Sequence, residues 1–515
     1  MPGGVITQDQ SRLLAFLKSP GVLDDEAPIE ITTSGAHVLL TEHRAYKLRR
    51  AITYSYMDFG TLEHRNRAAV AELRLNRNTA PDLYLGLMPI VTGGDEFFFR
   101  PIVETPDTGD DVIEHLVVMH RFDETTTLDR LADRNALDGA VLDQLGSLIA
   151  QFHDQTPSTI LGAAAQKLAN VSGRTMRDLL ATRSTLGVEV TTLLYQGMQV
   201  SLIQAMKEVD ERGATGHIKR LHGDLHLANV AMIDGAPVLF DALEFDDAMA
   251  TVDELHDIAF VIMDIWARGQ PGHAARVWSR YLAERDDYSG LALAPLYIAM
   301  RAAVRAKVAL NAATLNAGAG QTTKETEATH YVKTALAALV RPIPRLIAIG
   351  GLSGTGKTTL ARALAPALAP AVGAIHLRSD VLRKRHAGVD FESHLPPEAY
   401  SPASSTIVYA GLLERAEIAL KQGVPVIIDA VFAKLAERQA TESLAARLNV
   451  PFDGLWLDLD LNQRQDRIKD RRSDASDATP EVAAKQHAYE LGKISWHRLD
   501  AGATLLAEAK TTLEL

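Results

Sequence analysis

The 515-residue chain contains no cysteine. That absence excludes disulfides, cysteine-ligated zinc, iron–sulfur clusters and thiol nucleophiles, and it fits a cytoplasmic protein. Long apolar runs are missing too. No stretch of about 18 uncharged apolar residues occurs, and the most apolar segment, 291–313, is interrupted by Arg301, Arg305 and Lys307. The opening Met-Pro-Gly-Gly-Val lacks the basic and then apolar stretches of a secretory signal. The expectation is a soluble protein with no membrane partner. Positive charge is in short supply: 53 Lys and Arg stand against 65 Asp and Glu, a formal net charge of −12. Such a balance disfavours non-specific binding to nucleic acid or anionic lipid. No internal repeat is evident. What remains is ordinary for a globular chain, with 47% hydrophobic and 23% charged residues. The length exceeds one core and predicts two domains, 1–340 and 341–515.

The most informative stretch is His222-Gly223-Asp224-Leu225-His226-Leu227-Ala228-Asn229, followed by Val238-Leu239-Phe240-Asp241. It supplies a carboxylate, an amide and a second carboxylate, the groups that orient a hydroxyl and hold magnesium in phosphoryl transfer. Asp224 would accept the hydroxyl proton, and Asn229 and Asp241 would hold Mg²⁺ on the phosphates of ATP. Gly, Asp and Asn are also common turn residues. The order of the groups, with an apolar strand running into Asp241, argues for the chemistry. His222 is expected to brace this loop, and His226 is open between structural and functional roles.

Upstream, residues 29 to 50 read as a small β-meander with Lys47 inside its last strand. A strand lysine can hold α- and β-phosphates or simply face solvent. A capped helix over 61–80 offers Glu72 as its ion-pair partner, with Glu63 as competitor. Further strands are predicted near 87–91, 96–103 and 114–120, then helices over 140–153 and across most of 165–213. Asp253 and Asp257 are i, i+4 on a helix after the loop, either beside it or on a solvated acidic face. Arg301 and Arg305 share the same spacing on an Ala-rich helix. They either receive an anionic substrate or pair structurally; in the first case the acceptor is not a polycation.

After the stiff Arg341-Pro342-Ile343-Pro344-Arg345, the apolar strand 346–350 leads into Gly351-Leu352-Ser353-Gly354-Thr355-Gly356-Lys357-Thr358-Thr359. This is Gly-x-x-x-x-Gly-Lys-Thr in its strand–loop–helix setting. Loop amides and the helix N-terminus cradle phosphates, Lys357 reaches the β- and γ-phosphates, and Thr358 ligates Mg²⁺. Asp380 ends a second strand, where it is either a base for an acceptor hydroxyl or a helix cap, and Arg383 one turn later suits an anion. Asp429 ends the apolar strand 424–429 and would order the magnesium shell. Arg464, Arg467, Arg471 and Arg472 crowd the region after a fourth strand near 455–459. Arg467 and Arg471, on one face, are the expected phosphate-closing pair; a solvated basic helix is the alternative.

Lys47, Glu72, His222-Gly223-Asp224, Asn229 and Asp241 resemble the aminoglycoside phosphotransferase family, which has a protein-kinase-like fold. Ala45-Tyr46-Lys47-Leu48-Arg49-Arg50 and Gly223-Asp224-Leu225-His226-Leu227-Ala228-Asn229-Val230 resemble a bacterial branch in which that domain is fused to a P-loop kinase. The resemblance covers residues 25 to 335. It implies a bilobal α+β domain with ATP between the lobes, adenine at Met119–Phe122, Lys47 on phosphate, Asp224 as base, and Asn229 and Asp241 on magnesium. The chain departs from the glycine-rich pattern before Lys47, with Gly35 alone. Relatives act on sugars, choline, amino acids and antibiotics, so the family does not fix the acceptor. Residues 345 to 515 resemble P-loop kinases related to polynucleotide 5′-kinase, zeta toxins and gluconate kinase, through Ser379-Asp380-x-x-Arg383-Lys384. The sensor motifs and helical lid domain of a AAA+ motor are not seen. The resemblance thus implies an α+β domain followed by an α/β domain with a parallel sheet. It further implies two ATP–Mg²⁺ sites acting on small-molecule hydroxyl acceptors. Two alternatives stay open: one half senses nucleotide while the other is catalytic, or the acceptor is a macromolecule.

Overall fold

The computed structural model describes residues 4–54, 57–315, 318–470 and 475–515. Its first lobe is a six-stranded antiparallel sheet built from β1 (Ile29–Thr32), β2 (Ala36–Leu40), β3 (Arg44–Arg49), β4 (Tyr84–Gly93), β5 (Glu96–Phe99) and β6 (Val112–His120). The strand order is β1-β2-β3-β6-β4-β5. The two-residue period of β3 sends Tyr46 and Leu48 into a core with Leu39, Leu116 and Val118. It turns Lys47 and Arg49 to the opposite face, where α1 (Leu62–Asn76) packs. Thr61 caps α1 by accepting the His64 N–H at 3.2 Å.

The second lobe is helical. It contains α2 (Gly139–Gln155), α3 (Ala164–Ala181), α4 (Val188–Ala214), α5 (Glu254–Ala267), α6 (Pro271–Arg285), α7 (Ala294–Leu315) and α8 (Ala319–Ala338). Helix α5 is buried continuously from Glu254 to Ile265, its apolar run enclosing Glu254, His256, Asp257 and Asp264. The loop from Leu221 to Asn229 lies between α4 and α5. A hairpin of β7 (Val230–Ile233) and β8 (Ala236–Leu239) follows it and delivers Asp241 beside the loop. The two lobes form the bilobal α+β arrangement that the resemblance implies.

The second domain is a five-stranded parallel sheet of β9 (Leu346–Gly351), β10 (Ile375–Arg378), β11 (Val426–Asp429), β12 (Phe452–Asp458) and β13 (His497–Asp500), in the order β10-β11-β9-β12-β13. Every residue of β9 is buried, which is why it reads as an unbroken apolar run. Helices α9 (Lys357–Leu368), α10 (Ser379–Ala387), α11 (Pro402–Lys421), α12 (Leu435–Leu448), α13 (Leu461–Lys469), α14 (Pro480–His487) and α15 (Leu505–Leu513) complete it. Strands β9 and β11 are neighbours with Ile349 opposite Asp429, so the phosphate-type loop and that carboxylate emerge side by side.

Residues 339–345 contain no helix or strand. One apolar cluster nevertheless runs through both domains, and α6 forms the seam. Ala275 meets Gly373 across it. Arg415 donates to both oxygens of Asp286 (2.6 and 2.5 Å), and Arg280 donates to Glu392 (2.6 Å). Among the described residues no helix is long and apolar enough to cross a membrane.

Candidate active sites

In the first domain Lys47 Nζ donates to Glu72 Oε1 (2.9 Å) and to Asp241 Oδ1 (2.7 Å). Arg49, two residues along the same face of β3, donates to Glu72 and Glu244. Burial opposes charge on Lys47, but Asp241 and Glu72 outweigh it and hold its pKa above the ordinary lysine value. The Glu72 side chain is wholly buried, whereas Asp241 is 44% exposed toward the cleft. Asp241 takes a left-handed backbone, φ 58°. Neighbours hold that uncommon conformation: Tyr84 Oη accepts the Asp241 N–H (3.2 Å) and Asn76 Oδ1 accepts the Ala242 N–H (2.9 Å). Glu72 rather than Glu63 meets the lysine, because Glu63 pairs with Arg67 at the exposed start of α1.

The catalytic-type loop is fixed from several sides. The His222 ring and the Phe240 carbonyl lie 3.0 Å apart, and the Leu243 N–H donates to the His222 carbonyl, so His222 ties the loop to the strand bearing Asp241. Asn229 Nδ2 donates to the Asp224 carbonyl (2.9 Å) and to Asp224 Oδ2 (3.3 Å). His226 Nε2 sits 3.4 Å from Asp224 Oδ2. Burial raises the Asp224 carboxyl, but His226 beside it and then His222 and Arg301 prevail, leaving it below the usual carboxylate range. At neutral pH it is an anion that can accept a hydrogen bond from a hydroxyl. Asp224, Asp241 and Lys47 face one cleft of about 360 Å³, whose far end is lined by Val38, Ala45, Met119 and Phe122.

Two carboxylates of α5 support the loop: Asp257, one of the two acids that the sequence allowed beside it, and Asp264, which the sequence reading missed. Asp257 is fully buried; its Oδ1 accepts the Gly223 N–H (2.8 Å) and its Oδ2 lies 3.2 Å from the His153 ring. Asp264 Oδ2 accepts the Leu227 N–H (3.0 Å). The solvated acidic face allowed for Asp253 and Asp257 is therefore corrected: α6, α7 and α8 enclose α5, and Asp253 caps it while pairing with Arg212. The i, i+7 spacing of Asp257 and Asp264 was the available signal.

Arg301 and Arg305 are not brought together at an open surface. Arg301 is 6% exposed and donates to the carbonyls of His256 and Gly223, both at 3.0 Å. Arg305 turns to α8, 3.9 Å from Glu327 and over the Tyr331 ring.

In the second domain Thr358 Oγ1 donates to Asp429 Oδ2 at 2.5 Å. His376 (3.3 Å) and Arg378 (3.8 Å) approach the same oxygen from β10. Burial raises the Asp429 carboxyl, but His376 first, then Lys357 and Arg378, keep it below the carboxylate range. Lys357 Nζ folds onto the Leu352 carbonyl (3.2 Å). Ser353, Gly354, Gly356, Lys357, Thr358 and Thr359 line a cleft of about 1320 Å³ that also contains Asp380, Arg383, Asp429 and Arg467. Thr355 turns inward, donating to the Leu352 carbonyl, and Gly351 ends β9 behind the loop. Asp380 is the second residue of α10 rather than its cap, and burial pushes its carboxyl up. Arg383 is 7% exposed, donates to the Ala399 carbonyl and stacks on Tyr400, with its Nε unpartnered. Arg467 Nη2 donates to the Ala501 carbonyl (2.7 Å) beside the loop. Arg471 lies outside the described residues.

The donor sets suit Mg²⁺, a hard cation that prefers oxygen. Asp241 lines the first cleft with Asp224, to which Asn229 donates, and the hydroxyl of Thr358 already meets the carboxylate of Asp429 in the other.

Residues 346–490 match a family model described as AAA domain (AAA_33). That span contains β9, the loop, the helix α10 that carries Asp380 and the strand β11 that ends in Asp429. The chain is 28% identical over 485 residues to "Uncharacterized protein Rv2004c" of Mycobacterium tuberculosis (strain ATCC 25618 / H37Rv), covering 92% of this chain and 93% of the relative. A match of that length passes through both domains. Similar solved structures include a choline/ethanolamine kinase family protein from Mesorhizobium loti, at TM-score 0.36 and 13% identity, over 64% of this chain and 98% of that one. A gluconokinase from Sinorhizobium meliloti 1021 matches at TM-score 0.24 and 20% identity, over 34% of this chain and 94% of that one.

Proposed function

We propose that the chain is an ATP-dependent phosphotransferase with two ATP–Mg²⁺ sites, each passing the γ-phosphoryl group to a hydroxyl of a small-molecule acceptor. The observation that carries this reading is that both domains set a phosphate-type cation against acidic groups in a cleft. Lys47 meets Glu72 and Asp241 in the first, and Lys357 lines the cleft that holds Asp380 and Asp429 in the second. In the first domain Lys47 binds the α- and β-phosphates and Asp224 receives the hydroxyl proton as the acceptor oxygen bonds to the γ-phosphorus. The bond from that phosphorus to the bridging β-oxygen breaks and ADP leaves. In the second, the loop amides and Lys357 hold the phosphates, Asp380 receives the proton, and Arg467 stands by the loop to meet transferring charge. Asn229 with Asp241, and Thr358 with Asp429, would hold Mg²⁺, which would supply charge neutralisation for the transferring phosphoryl group.

Calorimetric titration with an ATP analogue tests the two-site count. The wild type should bind two equivalents, and Lys47→Ala and Lys357→Ala one each. Label from γ-labelled ATP should enter metabolites, with Asp224→Asn and Asp380→Asn each removing a different product. If Lys357→Ala alone stops all ATP consumption, only the second domain is catalytic; label on macromolecules would make the acceptor a protein or nucleic acid.

A further inference from the structure

A second cavity, of about 820 Å³, opens beside the cleft of Asp224 and shares Met57, Phe59, Glu244 and Phe245 with it. Its size suits a small metabolite. Residues 244–249, which follow Asp241, form one side, and α1 and α3 form the others. Helix α1 contributes Arg67 and Arg74, and α3 contributes Arg174 and Arg177.

The lining sets four arginines and Lys307 against five carboxylates, so its formal charge is even, but the carboxylates are already engaged. Asp178 is taken by Lys307 (2.5 Å), Asp58 by His64 (3.0 Å) and Asp247 by Arg220 (2.7 Å). Glu244 accepts from Arg49, and Asp246 caps a helical turn by accepting the Met249 N–H (2.9 Å). The lining carboxylates are thus committed. Arg74, Arg174 and Arg177 make no hydrogen bond or ion pair with any described residue. Arg67 has only an exposed neighbour, Glu63. Arg174 and Arg177 are three apart on α3, and Arg67 and Arg74 seven apart on α1, so each pair sets like charges on one helix face at a cost. An arginine fork without a partner is shaped for a carboxylate or phosphate.

We propose that this cavity is the acceptor pocket of the Asp224 site and that it selects an anionic acceptor, one bearing a carboxylate or phosphate ester besides the hydroxyl that is phosphorylated. The proposal rests on the phosphotransferase reading of that site. It transfers the anion recognition expected of Arg301 and Arg305 to the arginines of α1 and α3.

The test uses the full chain with Lys357→Ala, which silences the second domain, given γ-labelled ATP, Mg²⁺ and a cell metabolite extract. The extract is first split on an anion exchanger into retained and flow-through fractions, with Asp224→Asn as the blank. Asp224-dependent label should enter compounds from the retained fraction. Adding Arg174→Glu and Arg177→Glu should cut that transfer roughly tenfold or more, the loss expected for charged hydrogen bonds, while ATP affinity at the Lys47 site stays unchanged. Phosphatase treatment of the retained fraction separates the two sources: loss of the acceptor points to a phosphate ester, survival to a carboxylate. Label arising from the flow-through, or full transfer by the double-Glu variant, overturns the anionic pocket and leaves the phosphotransferase reading standing. Intact ATP binding with no Asp224-dependent label from either fraction overturns that reading and the pocket with it.

Discussion

Replacing Asp257 with Ala should loosen the catalytic-type loop from beneath while leaving every cleft-lining side chain in place. Asp257 Oδ1 accepts the Gly223 N–H at 2.8 Å and lies 3.7 Å from Arg301 Nη2, and Oδ2 lies 3.2 Å from His153 Nε2. A hydrogen bond to a charged group contributes about 1.5–3 kcal/mol, and breaking a buried ion pair from one side costs about 3–5 kcal/mol. The two overlap, because Arg301 also donates to the Gly223 carbonyl, so they do not add. A fall of about 3–4 kcal/mol in unfolding free energy is expected. Asn keeps an acceptor for the Gly223 N–H and loses only the charge, so Asp257→Asn should cost about half as much. Urea unfolding of the full chain measures the stability. Hydrogen exchange in a peptide spanning 221–229 reports the loop, where the Gly223 amide should exchange faster in Asp257→Ala. A double-mutant cycle of Asp257→Asn with Arg301→Met should show coupling of about 1–3 kcal/mol. An Asp257→Ala protein with the parent's unfolding midpoint and a Gly223 amide equally protected would refute the argument.

Three further outcomes follow from the same geometry. Gly223→Ala should cost about 2 kcal/mol or more: its φ is +80° and a Cβ there would stand 2.8 Å from that of Ala250, and urea unfolding should show the loss. Burial raises the Glu254 carboxyl, but His217, Lys219 and other cations reverse this and hold it at about 2 against an ordinary 4.5. A depressed acid of this kind stabilises above the ordinary value and loses its contribution as pH falls from about 4.5 to about 2, a loss of about 3 kcal/mol. Melting temperatures recorded across that range should fall less steeply in Glu254→Gln, and parallel curves would remove Glu254 as the cause. Thr358→Val deletes the hydroxyl that meets Asp429 at 2.5 Å. The Mg²⁺-dependent gain in nucleotide affinity at the second site should drop roughly tenfold or more, with binding in EDTA unchanged; an undiminished gain would take Thr358 out of the metal shell.

The sequence was most legible where local order carries the chemistry. Lys47 was readable because strand alternation puts it opposite Tyr46 and Leu48, and Glu72 because it lies on the one helix following that strand. The glycine-rich loop was readable because its spacing and its strand–loop–helix setting occur together. Facing was not legible. The i, i+4 spacing of Arg301 and Arg305 shows that they share a helix side, yet only the packing of α7 against α5 decides which neighbours that side meets. For the same reason Asp257 reads as surface acid although it is buried. The arginines of α1 and α3 could not be paired from sequence at all, because the cavity they share joins positions more than a hundred residues apart.

The seam along α6 limits how the two domains could be exchanged. Asp286 serves both Arg385 and Arg415, Glu392 reaches Arg280, and Ala275 stands 3.0 Å from where a Cβ at Gly373 would lie. A foreign P-loop domain grafted after residue 345 would need matching arginines, a matching acid and a glycine at the contact. Cutting the chain there instead would expose apolar surface and unpaired charge on both pieces. The short connection is thus the easiest place to sever the backbone and a poor place to divide the protein, and recombination that respects only the linker should yield sticky, poorly folded halves.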